Sequence, residues 1–153
     1  MASTDYQTAI NDIFTLINSA WIAGAATAVG ETAELRFVGV EKEGKIPTDK
    51  FWGRVSTQGV NEGQASIANG VGAPGNRRWR ADGLVYVQLF APKSRNTAMQ
   101  KLRALAQLAR NAYRGKQSVN GVSFYNARIQ ELDPEELFHR INVVAEYQYD
   151  ELA

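Results

Sequence analysis

Cysteine is missing from all 153 residues, which excludes disulfides, thiolate metal sites and a cysteine nucleophile together. Histidine occurs once, as His139 beside Arg140, and a lone histidine at the start of a strand reads as surface rather than as a general base. No HExxH, GxSxG or CxxC spacing is present. An excess of one charge is lacking too. Lysine and arginine number 17 against 16 acids, a net charge of +1, so there is no overall field to draw nucleic acid or an anionic membrane. The start of the chain has no basic stretch leading into an apolar run, and no span of about 18 consecutive apolar residues occurs. The expectation is a protein made and kept in the cytoplasm, without membrane contact, catalytic residues, cofactor or metal.

What remains is the composition of a folded domain. Apolar residues make up 44% and charged residues 22%, far from a disordered chain. A chain of this length buries roughly two-thirds of its unfolded surface, which suits one domain over residues 1–153.

Tyr6, Ile10, Ile13, Phe14, Ile17 and Trp21 recur at steps of three and four, the mark of one apolar helix face over residues 5–22, with Ser3 or Thr4 as cap. The small-residue stretch 23–33 reads as a connector. Residues 33–40 and 51–58 read as two strands of a hairpin around a polar loop. Residues 59–76 are rich in Gly, Ala and Asn without apolar periodicity, and read as a long flexible loop. Loops of that length in a compact domain are uncommon and usually functional or disordered.

"RRWRADGLVYVQLFAPKS", residues 77–94, is the strongest strand, apolar on both faces from Leu84 on apart from Gln88 and stopped by Pro92. It should be central. A second helix follows over residues 96–113, with Met99, Leu102, Ala106, Ala109 and Tyr113 on one stripe and Gly115 as C-terminal signal. Residues 122–132 and 139–152 close the chain as strands. In the last, Ile141, Val143, Ala145, Tyr147 and Tyr149 alternate with polar residues. The expected fold is α+β, a mainly antiparallel or mixed sheet of about five strands with two helices on one face. Two helices leave the other face of the central strand bare, and that apolar face needs a loop or a partner subunit over it.

Three local readings compete for function. "GVGAPGN", residues 70–76, lacks the Lys and Ser/Thr of a phosphate loop and leads into a strand rather than a helix. Acidic pairs such as Glu135 with Glu136 and Asp150 with Glu151 read as solvated, without partners. Arg77, Arg78, Trp79 and Arg80 could grip a single nucleic-acid strand, cations beside an aromatic platform. Alternatively, alternation turns Trp79 inward and sets Arg78 and Arg80 on a polar face or against an acidic neighbour, a common interface chemistry. Lys101, Arg103, Arg110 and Arg114 lie on the exposed side of the second helix, as solvated charge or against a neighbour's acids.

The order of the pieces carries a resemblance. "FWGRVSTQ", the glycine-rich loop, the Arg80 and Gly83 entry into a strand ending in Phe90 and Pro92, the helix "AMQKLRALAQLARNAYRGK", and a last strand with Tyr147 and Tyr149 resemble the tail terminator, or tail-completion, proteins of long-tailed bacteriophages. The branch is that of the minor tail protein U of lambda-like phages, and the likeness covers residues 51–151. It implies a structural virion protein in the phage neck: a homo-hexameric ring that caps the tail tube, ends its polymerisation and meets the head connector, with DNA passing through the lumen without specific binding. It implies no catalytic residue. On this reading Arg77, Arg78, Trp79 and Arg80 sit at a subunit or tube contact, and the loop with Gly59, Asn61, Glu62 and Asn76 at an assembly face. A connector or tube protein of similar topology, or a small nucleic-acid-binding module, remains the alternative.

Overall fold

The computed structural model describes residues 4–40, 44–64 and 77–152. They form α1 (Tyr6–Val29), β1 (Glu34–Phe37), β2 (Trp52–Gln64), β3 (Arg78–Pro92), α2 (Ala98–Tyr113), β4 (Ser123–Leu132) and β5 (Phe138–Leu152). The strands make one sheet in the order β1-β2-β3-β5-β4, mixed because β1 runs parallel to β2 while the other pairs are antiparallel. The α+β expectation therefore holds, with β3 in the middle of the sheet.

α1 starts where Asp5 accepts the Thr8 backbone N–H at 2.7 Å, so Asp5 is the cap rather than Ser3 or Thr4. It does not stop at Ile22. Ala25 and Val29 continue the four-residue buried series of Ala9, Ile13, Ile17 and Trp21, and alanine is the best helix former, so the supposed connector is helix as far as Gly30. Gly30, with φ 76°, closes the helix by donating to the Ala26 carbonyl at 2.8 Å. With one charged residue, Asp12, and a mean hydropathy of 1.3 over its best window, α1 has the length and composition to cross a bilayer. Here its apolar stripe packs into the core instead.

α2 lies beside α1 over β3, β5 and β4. The two helices approach closely at Gly24, where a Cβ would stand 2.9 Å from Leu108. They are tied by the buried Tyr113 hydroxyl, which donates to the Ile13 carbonyl at 2.8 Å. Under them the sheet presents Val55, Val85, Val87, Leu89, Ile141, Val143 and Ala145, all buried. Each such valine, leucine or isoleucine side chain is worth about 1.5–3 kcal/mol on burial.

Two strand expectations are corrected. Residues 33–40 and 51–58 do not form a hairpin: β1 and β2 are adjacent but parallel, so the chain between them returns to the starting end of the sheet. And residues 59–64, taken as the start of a loop, prolong β2 as far as Gln64, paired with Trp79. Polar residues fit that exposed strand, because only one of its faces meets the helices and its far end projects past them. The rest of the proposed loop, residues 65–76, lies outside the described residues.

The helix-free face is also unlike its expectation. Phe90 is covered within the chain, stacked on Trp52 at 4.3 Å and edge-on to Phe138 at 5.9 Å. Leu84 is half-buried between Gln58 and Glu146, and Tyr86 between Ser56 and the buried Val144, with polar neighbours around them. Those neighbours pair across the sheet: Arg54 donates to Gln88 at 2.9 Å, Gln148 to Asp82 at 2.8 Å, and Arg128 meets Glu146 at 3.2 Å. An apolar face read from β3 alone becomes a polar ladder once β2, β5 and β4 lie beside it.

Candidate interface at the arginine end of the sheet

Alternation along β3 divides the arginine cluster between the two faces. Trp79 shares the helix-side face with Ala81, Gly83 and Val85, while Arg78 and Arg80 stand on the other. Trp79 is nevertheless not buried. It is 38% exposed, because the end of the β2–β3–β5 ladder projects beyond the helices that cover Val85 and Val87. The expectation that Trp79 turns inward gave the face correctly and the burial wrongly.

Arg78 and Arg80 both close on Asp150, the residue opposite Arg80 on β5. Arg78 Nη2 lies 2.7 Å from Oδ2, and Arg80 Nε lies 3.1 Å from Oδ1. Asp150, read from the sequence as solvated and unpartnered, has a side chain only 16% exposed. Burial pushes its carboxyl up, but the hydrogen bonds and charges of Arg80 and Arg78 outweigh this and hold it below the ordinary carboxylate value. The same contact holds the Arg80 guanidinium above its ordinary value. Glu135 is likewise paired, 3.3 Å from Arg140. The acids that satisfy these arginines come from β5 and its preceding turn, not from a neighbour.

A nucleic-acid grip of the kind the cluster suggests needs its stacking ring and its phosphate-binding cations on one surface. Here Trp79 and the Arg78, Arg80 pair lie on opposite faces, and those two arginines are engaged.

The helix-side face of the same end is aromatic. Tyr147 and Tyr149 stack nearly parallel, centroids 6.2 Å apart with an interplanar angle of 11°. Gly83 makes room for the first of them. The Tyr147 ring lies across Gly83, where a Cβ would overlap the ring and stand 2.6 Å from the Gln58 carbonyl oxygen. Both rings are buried. Burial, followed by the neighbouring Tyr147 and Glu62, pushes the Tyr149 hydroxyl up to about 12. Next to the rings opens a hollow of about 250 Å³ lined by Tyr6, Val60, Glu62, Tyr147 and Tyr149 among others, with no lysine or arginine in its lining.

Of the residues singled out from the sequence, Gly59, Asn61 and Glu62 sit on β2 beside this hollow, and Asn76 lies outside the described residues. The structure thus brings Glu62 to the tyrosines, and separates Trp79 from Arg78 and Arg80. Sequence reasoning missed Asp150, Tyr147 and Tyr149 as parts of this end. The signal was available in the alternation of the last strand, which puts Asp150 on the wet side and both tyrosines on the dry side.

No protein-family model matches the chain, and no curated protein matches it. Among solved structures, a chain of the virion of a native gene transfer agent particle is 15% identical, with a TM-score of 0.49, covering 92% of this chain and 92% of that one. A second solved chain, whose name states no role, is 15% identical with a TM-score of 0.47, covering 88% of this chain and 94% of the other.

The lateral ends of the sheet differ. On one side, β1 accompanies β2 only from Trp52 to Val55, followed by the Val38 N–H bonded to the Val55 carbonyl, and residues 56–64 of β2 have no described strand on their outer side. That edge carries no lysine, arginine or proline, though it is bulged between Gly59 and Asn61 and bears Glu62. On the other side, β4 is broken by a bulge between Tyr125 and Arg128, with Asn126 at φ 53°, and carries Arg128 and Glu131. Arg103 of α2 reaches Glu131 at 2.6 Å, so this cation of α2 belongs to the β4 side.

Proposed function

We propose that this chain is a structural virion protein, the ring-forming terminator of a phage or phage-like tail tube. The observation that carries the reading is the unlikeness of the two sides of the sheet, one a long β2 edge that bears Glu62 and no cation, the other a β4 edge with Arg128 and with Arg103 of α2 beside it. Contact between two unlike sides is head to tail, and such a contact closes into a ring when its rotation permits. The likeness over residues 51–151 to tail terminators supports the same role, as does an α+β domain whose arginine-rich end is held together internally rather than opened around a substrate. In this role the ring caps the finished tube, its partners are the tail tube protein and the head connector, and DNA passes through the lumen. The role requires no catalytic residue.

Light scattering across a concentration series, paired with negative-stain images, tests the reading. Closed rings of one fixed subunit number, free or on isolated tail tubes, are the expected result. Open tubes would instead identify a tube protein, and a strict monomer that neither assembles nor binds isolated tubes refutes the ring.

A further inference from the structure

One row of residues crosses the sheet at the level of the tyrosine hollow. Gln117 bridges Ser123, Ser123 pairs with Gln148, Gln148 with Asp82, and Asp82 with Asn61. Its two ends are the two lateral sides of the molecule at the same height. At the β2 end stand Asn61, Glu62, an exposed Val60 and the hollow backed by Tyr147 and Tyr149. At the other end, Gln117 follows directly on the close of α2, where Arg114 and Lys116 are exposed and Val119 is 93% exposed.

The two ends are complementary in charge. Glu62 has no ion-pair partner among the described residues, and the hollow beside it has carboxylate and phenol walls without a cation. Arg114 makes no side-chain hydrogen bond or ion pair among the described residues. The nearby acid, Asp12, is occupied by Asn120 through its backbone and side-chain N–H groups at 3.2 and 3.0 Å. A guanidinium stacks on an exposed tyrosine face and pairs with a carboxylate at once, the combination that Tyr6, 64% exposed, and Glu62 offer in the hollow.

We propose that the hollow beside Glu62 receives Arg114 of a second copy of this chain, with Lys116 at its rim and the bare Val60 and Val119 closing together. This deepens the ring reading and rests on it, since it names the surfaces that meet around the ring. Because the donor and the acceptor lie at one height on opposite sides, each copy accepts from one neighbour and donates to the next, as ring closure demands.

The test measures self-association by sedimentation velocity for the wild type, Glu62→Lys, Arg114→Glu and the Glu62→Lys/Arg114→Glu swap, with circular dichroism confirming that each is folded. Each single reversal should raise the concentration for half-assembly about tenfold, the swap should recover most of that loss, and added salt should weaken the wild type. Rings that form equally well with Glu62→Lys, or a swap no better than its singles, overturn this contact and leave the ring intact. If the wild type assembles neither in solution nor on tail tubes, the contact and the ring reading fall together.

Discussion

Replacing Gly83 by alanine tests the packing of the projecting end most directly. Gly83 is flanked by Gly59 on β2 and Tyr147 on β5, and the Tyr147 ring occupies the space a Cβ would fill. The ring cannot simply swing outward, since it is 4% exposed and stacked on Tyr149. The second obstacle, the Gln58 carbonyl at 2.6 Å, is backbone and cannot rotate away. Overpacking of this kind costs about 1–3 kcal/mol. In a protein of this size each 1 kcal/mol shifts Tm by about 2–4 °C, so Gly83→Ala should melt roughly 2–12 °C below the wild type. Gly63→Ala is the control: nothing lies within 4 Å of its Cβ, and its stability should stay within about 0.5 kcal/mol of wild type. Urea unfolding followed by circular dichroism measures both. Adding Tyr147→Ala to Gly83→Ala should cost at least about 1 kcal/mol less than Tyr147→Ala does in the wild type, because the clash with the ring, though not that with the Gln58 carbonyl, is then gone. A Gly83→Ala protein as stable as Gly63→Ala would refute the close approach of Tyr147.

Other expectations follow from the same geometry. Asp150→Asn should lower the urea midpoint, by less than any core truncation, and the loss should shrink in 1 M salt, where exposed guanidinium contacts are already screened. The folded Asp150 carboxyl titrates below its unfolded value, so its contribution is present above the ordinary carboxylate range and is lost as pH falls through the folded value; the wild-type and Asp150→Asn stabilities should converge there. Tyr149 has the opposite sign. Its folded value is raised to about 12, so its contribution is whole below pH 10 and disappears as pH rises through 12, and Tyr149→Phe should remove one late-titrating phenol from the absorbance at 295 nm. Leu102→Ala, at a fully buried position on the core face of α2, should cost about 2–5 kcal/mol by chemical denaturation.

The elements legible in the sequence were those whose pattern is local. The stripe of α2 and the alternation of β5 name their buried faces directly, and β3 declares itself central by being apolar on both sides. What escaped was set by partners distant in the chain. A stretch of small residues after Ile22 is neutral between connector and helix until Ala25 and Val29 find a core to enter. Likewise, nothing in residues 33–40 tells a parallel neighbour from a hairpin arm, because the pairing depends on where residues 41–51 travel. β2 continues past Gln58 because β3 is there to pair with it, not because "GVNEGQ" favours strand.

The same limit explains the arginine cluster. Four residues in a row read either as one gripping surface or, by alternation, as two faces; the strand does deal successive side chains to opposite faces, but the partners of each face come from β5, some seventy residues later. Asp150 takes Arg78 and Arg80 on one side, and the tyrosines take the helix-side surface on the other. Two arginines of a cluster that attracts attention for its charge are thereby engaged within the chain by one carboxylate, and Glu62 and Arg114, at the two ends of a single row, are two of the charges without an ion pair among the described residues. For a protein with a net charge of +1, contact between copies should depend on where such leftover charges lie rather than on how many there are. That is why reversing one carboxylate at the β2 edge should disturb assembly more than removing Arg78, whose charge is already matched within its own fold.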